Sequence, residues 1–363
     1  MPPLNSMVTY LDQAREIFSI PAAPLYEQQI ISALRNLLKD LPHVSLTSDR
    51  WGNFVARYRY RPQGLQKISF VGHMDHPGVV IEKDQAYLKG GVQESFLKGA
   101  SILFFDAQGN RSPGRFQVTG TDFQKESHRL ILNQIPPQAA YGVWDLPAFQ
   151  LKNGAVIGRA CDDLIAVVSM VSLIQHLSQQ KIPADVECWF TRAEEVGFWG
   201  TFGRLQEVKP SSDRVVISIE ASNAQGFAKW GEGMIVRVGD RSSVFDAKVT
   251  RWLSHHAEVL KKEATPFAWQ RLLMGGGSCE ATPIQEAGFL TGAICLPLKN
   301  YHNHGSRGRL APEMVSQKDW DSLLMLMLRV ATSKETVESV QKKFSALLGK
   351  RRKEALKHLK SKY

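Results

Sequence analysis

The stretch ISFVGHMD, residues 68–75, decides the fold. Four apolar or small residues run without interruption, and a histidine and an aspartate follow at once. A strand that is apolar on both sides is buried on both faces, and such strands belong to parallel sheets covered by helices. Its polar residues then gather at the carboxyl end, where open α/β sheets bind ligands. The same grammar recurs outward from this point. VECWFTRAEE (186–195) is an apolar run ending in Glu194 and Glu195, and VVISIE (215–220) ends in Glu220. FLTGAICLPL (289–298) is a further strand, and it leads into NYHNHG with His302 and His304.

Helices fill the intervals. LIAVVSMVSLIQHLSQQ (164–180) is apolar nearly all round, which predicts a buried helix, and Asp162 and Asp163 stand at its start. Helical spacing also predicts helices over 7–17, 26–39, 243–262 and 319–332. SDRWGNFVARY (48–58) reads as a turn into a strand. Residues 82–155 change character. Short alternating runs such as SILFFDAQG, RFQVTG and RLILNQIP are separated by frequent turn residues, as in a small β-barrel or sandwich. This gives a discontinuous catalytic domain, 1–81 and 156–332, an inserted β domain over 82–155, and a tail over 333–363.

Taken singly, the polar signals are weak. Paired aspartates are common at helix starts, where they favour the positive end of the dipole. Paired glutamates are usually solvated, and an isolated HxD is usually structural. The weight lies in the combination. His73, Asp162, Glu195, Glu220 and His302 all fall next to buried runs, and two imidazoles with several carboxylates at one sheet edge suit two metal ions.

The net charge of +10 raises nucleic acid and membranes as partners. Its location answers part of that. From Lys342 to Tyr363, nine lysines and arginines meet one acid, Glu354, so the charge belongs to the tail rather than to the site. A solvated helix or a disordered end is the plain reading of such a tail. Base-reading partners are sparse there, with only Phe344 and Tyr363 aromatic, so a nucleic-acid partner is not expected. No segment holds about 18 consecutive apolar residues, so no membrane is expected. The amino terminus lacks the pattern of a signal peptide, and Cys161, Cys188, Cys279 and Cys295 show no CxxC spacing. Reduced, buried thiols and a cytoplasmic location are expected.

The order of these segments resembles the M42 family of metallo-aminopeptidases, the glutamyl and leucyl aminopeptidase group, over about residues 8–332. The resemblance rests on DRWGNFVAR, HMDHPG, RACDDLIAV, AEEVGFWG and GGGSCEATPIQEAG, taken together and in order. The long interval between His73 and Asp162, with room for an inserted domain, sets this pattern apart from the M20 amidohydrolases. The resemblance implies an α/β/α sandwich zinc-peptidase domain with an inserted small β-barrel-like domain, and a hydrolase releasing N-terminal residues from peptide substrates. It implies two divalent ions, Zn²⁺ with Mn²⁺ or Co²⁺ as alternatives. His73, Asp162 and Glu220 would hold one ion, and Asp162, Glu195 and His302 the other. Glu194 would be the general base. Asp75 would accept the other ring N–H of His73, and Asp163 would support the turn. A homo-oligomer built largely through the inserted domain is also implied. Glu220 stands where the family usually has aspartate, and His304 is an alternative to His302. An M20-like deacylase and a non-catalytic assembly protein on the same fold are the competing readings.

Overall fold

The computed structural model describes residues 10–125, 127–224, 226–263 and 266–360. Its centre is an eight-stranded sheet. In chain order the strands are β1 (Val44–Ser48), β2 (Phe54–Tyr60), β3 (Lys67–His73), β12 (Ala184–Thr191), β13 (Arg214–Asn223), β14 (Met234–Gly239), β15 (Trp269–Leu273) and β16 (Leu290–Leu298). Their spatial order is β1-β2-β12-β3-β13-β16-β14-β15. The four inner strands β12, β3, β13 and β16 are mutually parallel, and β2 and β14 flank them antiparallel. This is the buried parallel core that ISFV and its repeats predict.

Side-chain alternation assigns the two faces of the sheet. Ile68 and Phe70, Val186 and Cys188, and Ile217 and Ile219 join one large cluster. That cluster includes helices α1 (Tyr10–Ser19), α2 (Gln28–Leu38), α3 (Cys161–Gln179), α5 (Ala247–Lys262) and α7 (Gln317–Thr332). The intervening Val71, Trp189 and Val216 face the other way, against Ile284 of α6 (Ala281–Glu286). With α4 (Trp199–Leu205) near α6, the result is helix, sheet, helix, the layering that makes strands apolar on both faces. The predicted helix over 7–17 begins at Tyr10, and its first residues lie outside the described ones. The last helix, α8 (Val337–Lys360), leaves the body with only Val337 and Val340 buried.

Between β3 and α3 the chain builds a closed six-stranded barrel. Its strands are β4 (Gly78–Glu82), β5 (Gln85–Lys89), β6 (Ser101–Phe105), β7 (Phe116–Phe123), β8 (His128–Leu132) and β9 (Tyr141–Trp144). Phe104, Phe116, Val118, Leu130 and Trp144 fill a core separate from that of the sheet. The barrel therefore starts and ends earlier than the 82–155 read from sequence. β10 (Gln150–Lys152) and β11 (Ala155–Gly158) belong instead to a small sheet with β17 (Glu313–Ser316). That pairing joins segments far apart in sequence, which local turn signals cannot reveal.

Candidate metal centre

Every inner strand delivers its polar residue to one edge. His73 is the last residue of β3, Glu194 and Glu195 follow β12, Glu220 lies in the carboxyl half of β13, and His302 follows β16. Asp162 and Asp163 enter from the start of α3, where both have non-helical dihedrals. Gly72 makes that approach possible, because a Cβ there would lie 2.5 Å from the Ala166 Cβ and 3.0 Å from Asp163 Oδ2. All seven side chains are buried or nearly so.

Asp162 sits between the two imidazoles. Its Oδ1 lies 3.4 Å from His73 Nε2, and its Oδ2 lies 3.8 Å from His302 Nε2. Glu195 Oε2 is 3.3 Å from His302 Nε2, and Glu194 Oε2 is 3.8 Å from His73 Nε2. Three sets of possible ligand atoms each fall within a 4.8 Å span: Asp162, Glu195 and His302; His73, Asp163 and Glu220; and His73, Glu194 and Glu195. The first is the set read from sequence. The second places Asp163 beside His73 and Glu220, where the sequence reading gave Asp163 only a turn-supporting part. Both Asp163 oxygens are buried without a hydrogen-bond partner, so this carboxylate faces the centre rather than the turn.

The imidazoles are aimed from behind. His302 Nδ1 is 2.8 Å from the Gly91 carbonyl, in the barrel segment after β5. His73 Nδ1 is 3.0 Å from the backbone carbonyl of Asp75, while the Asp75 carboxylate stands off at 3.7 Å. That carboxylate accepts instead from the backbone N–H groups of Glu194 and Glu195, at 3.0 and 3.1 Å. Asp75 thus clamps the loop bearing the glutamate pair, and its main chain, not its side chain, fixes the His73 ring. His304 turns away from the carboxylates, its Nε2 accepting from Gln93 N at 3.0 Å.

Several supporting residues escaped the sequence reading. Glu313 accepts from Asp162 N at 2.9 Å and His302 N at 2.8 Å, so one buried carboxylate holds both backbones. His302 and Asn303 have positive φ, a strained setting for non-glycine residues that such clamps sustain. Glu280, fully buried, accepts from Thr191 and Thr201. Arg237 is buried beside Glu220 and donates to Ser222 Oγ at 3.1 Å. It borders a small cavity of about 40 Å³ with Glu220, Ser278 and Tyr301. Glu280 lies in the segment GGGSCEATPIQEAG but had no part assigned to it, and only the charge of Glu313 and Arg237 inside apolar surroundings could have marked those two.

The electrostatics show too little positive charge. Burial drives the Glu194 and Asp163 carboxyls well above the usual carboxylate range, with His73 pulling the other way. Burial likewise raises Glu220 to about 8 and Asp75 to about 7. At the other imidazole the pair compensates itself. Burial opposes both charges, yet the contact with Glu195 carries His302 up to about 10 and His302 holds Glu195 at about 2. Asp162 Oδ1, both Asp163 oxygens, Glu195 Oε1 and Glu220 Oε1 have no hydrogen-bond partner. Buried acceptors in that state call for cations, and mixed carboxylate and imidazole sets suit divalent transition metals.

A cleft of about 580 Å³ opens beside Glu195, with Tyr87, Lys89, Gly91 and His128 of the barrel side on its wall. The sequence model of the M42 glutamyl aminopeptidases matches residues 137–313. Over that span, just under half of the chain, the sequence is similar to the M42 peptidases. The protein is a peptide hydrolase of the aminopeptidase class. A curated Acetivibrio thermocellus relative named "Putative aminopeptidase" is 24% identical over 301 residues, 76% of this chain and 87% of the relative. Among solved structures, an aminopeptidase from Desulfurococcus kamchatkensis superposes with a TM-score of 0.74 at 21% identity, covering 93% of this chain and 98% of the other. The TET1 peptidase of Pyrococcus horikoshii, described as assembling into a tetrahedron or a large octahedral shell, gives 0.71 at 20% identity, covering 90% and 99%.

Proposed function

We propose that this peptidase is a dinuclear aminopeptidase whose ions are held by His73, Asp162, Glu195, Glu220 and His302, with Asp163 at hand beside His73 and Glu220. The observation that carries the reading is Asp162, which addresses one oxygen to each imidazole among orphaned carboxylates. Zn²⁺ fits the donor set, with Mn²⁺ and Co²⁺ as substitutes. When bound, such ions polarise the scissile carbonyl and make water acidic enough to attack near neutral pH.

The protein's own part is proton handling and positioning. Glu194 takes the proton from the attacking water and returns it to the leaving amine. Burial alone would raise its hold on a proton, and the cations proposed beside it would keep it ionised until it takes the water's proton. Asp75 keeps Glu194 and Glu195 in register through their backbones, so base and ligand stay one residue apart with separate tasks. The carboxylate-rich edge also suits a free terminal ammonium.

Chelation followed by reconstitution with Zn²⁺, Mn²⁺ or Co²⁺ tests this. Turnover of aminoacyl substrates should return with two ions per chain, and N-acetylated controls should stay uncleaved. Glutamyl and aspartyl substrates belong in the panel because Arg237 borders the cavity beside Glu220. Recovery with one ion per chain, or cleavage of blocked peptides, overturns the reading.

The same reading includes a homo-oligomer with the barrel as a contact surface, supported by the assemblies described for the TET1 peptidase. It includes a cytoplasmic location, supported by four buried free thiols. Light scattering on the purified chain, and fractionation of cells producing it, test these two points.

A further inference from the structure

Helix α8 has a buried root and an exposed arm. At the root, Val337 and Val340 are buried, Trp252 Nε1 donates to Glu335 O at 2.7 Å, and the Arg251 guanidinium lies 4.0 Å over the Phe344 ring. Beyond Ser345 every described residue is exposed. That arm, Leu347–Lys360, is about 21 Å long at 1.5 Å per residue. It keeps Leu347, Leu348, Leu356 and Leu359 between 46% and 62% exposed.

The register sorts the arm into two faces. Leu348, Ala355 and Leu359 recur at helical spacing on one side, with Leu356 flanking them. Lys350, Lys353, Lys357 and Lys360 recur on the opposite side. Arg352 interrupts the leucine row between Leu359 and Leu356, Arg351 borders it and Leu347 stands off it, and the long arginine stems allow their heads to reach a polar boundary. A helix meant only for water has no use for a leucine row.

We propose that the distal half of α8 docks the protein on an anionic phospholipid surface, leucines toward the acyl boundary and lysines among the headgroups. Charge complementarity selects this occupant. Each basic residue at an anionic leaflet strengthens binding about fivefold, and the arm Leu347–Lys360 carries six lysines and arginines against one acid, Glu354. A second copy of the chain would bring two tails of like charge together. A nucleic acid would use the lysines and leave the leucines in water. The contact is peripheral. The sole described helix apolar and long enough to cross a membrane is α3, which is buried in the core. This departs from the sequence reading, which expected no membrane partner, because a charge count does not reveal the leucine row. The proposal stands independently of the peptidase reading.

The test is co-sedimentation of the full chain with phosphatidylcholine vesicles, with and without phosphatidylserine. Binding at least about tenfold tighter to the anionic vesicles, weakened by salt, is expected. A triple variant, Leu348→Ser, Leu356→Ser and Leu359→Ser, should lose about tenfold in binding at unchanged oligomeric mass. A chain ending at Ser345, which keeps Val337, Val340 and Phe344, should lose it altogether. Equal affinity for both vesicle types, full binding by the serine variant or the truncated chain, or a fall in oligomeric mass in the serine variant overturns the proposal. The last outcome would assign the leucines to a second copy.

Discussion

The two edges of the central sheet treat buried carboxylates in opposite ways. At the amino-terminal edge, Asp185 is fully buried but meets Arg57 at 3.1 Å, Arg214 at 3.0 Å and Arg59 at 3.6 Å. At the carboxyl edge, Asp162, Asp163, Glu194, Glu195 and Glu220 share three imidazoles, those of His73, His76 and His302, and one buried guanidinium, and several of their oxygens have no hydrogen-bond partner. A larger cavity, about 870 Å³, lies at the amino-terminal edge beside Gln66, Asp213 and Lys248, away from every site residue. Size of cavity therefore does not locate the chemistry here; uncompensated charge does. An edge whose charges are balanced from within is finished as a structure. An edge left short of cations is built to receive them.

That contrast can be broken most sharply at Glu194. Glu194→Gln should keep both ions and lose about 10²–10⁴-fold in turnover, because the amide holds the shape but takes no proton. Glu195→Gln should instead lower metal content, by one ion. Elemental analysis with turnover on the same samples distinguishes them. A Glu194→Gln enzyme that loses metal while Glu195→Gln keeps it would reverse the two assignments.

The balanced edge should respond in stability rather than in chemistry. Asp185→Asn leaves three guanidiniums around a neutral group and should cost about 3 kcal/mol, the lower end for a broken buried pair. The low end applies because Arg57 and Arg59 reach water. Denaturant unfolding measures the loss, and turnover per folded, metal-loaded molecule should stay unchanged. A large loss of turnover in the folded variant would mean that the two edges are coupled.

A smaller effect is expected at the root of α8. Lys343 and His255 hold the Glu335 carboxyl down at about 2. Since the folded value lies below the ordinary one, its stabilising share is full above about pH 4.5 and disappears as pH falls toward 2. Lys343→Ala should flatten the acid limb of the stability curve in that window, with the loss of stability full at pH 7 and vanishing toward pH 2. The smallest effect belongs to the arm. Ending the chain at Ser345 should leave peptide turnover in solution unchanged, since no site residue contacts it.

Much of the site was legible because its residues end apolar runs. His73, Glu194, Glu195 and Glu220 are each announced by the strand that delivers them, and His302 follows the last such strand. What stayed hidden depends on contacts between distant segments. Nothing near Asp75 announces that its carboxylate reaches the backbone of Glu194 and Glu195, more than a hundred residues away. Glu313 is hidden likewise, lying in a strand that pairs with β11 from across the chain. Asp163 was misread because paired aspartates at a helix start have an ordinary local explanation, and only burial without a partner shows otherwise. The barrel's limits moved because its first strand begins almost at the site itself, at Gly78, with only residues 74–77 between the two units.

The carbonyl of Gly91 orients the His302 ring, and a Cβ on that glycine would come within 2.9 Å of Nδ1. The inserted barrel is thus not a detachable module. An engineer who exchanged it for another scaffold would inherit a loose imidazole unless the Gly90–Gly91 segment came with the graft. Conversely, any force that shifts the barrel, such as assembly with further copies, has a short mechanical path to the tuning of that ligand.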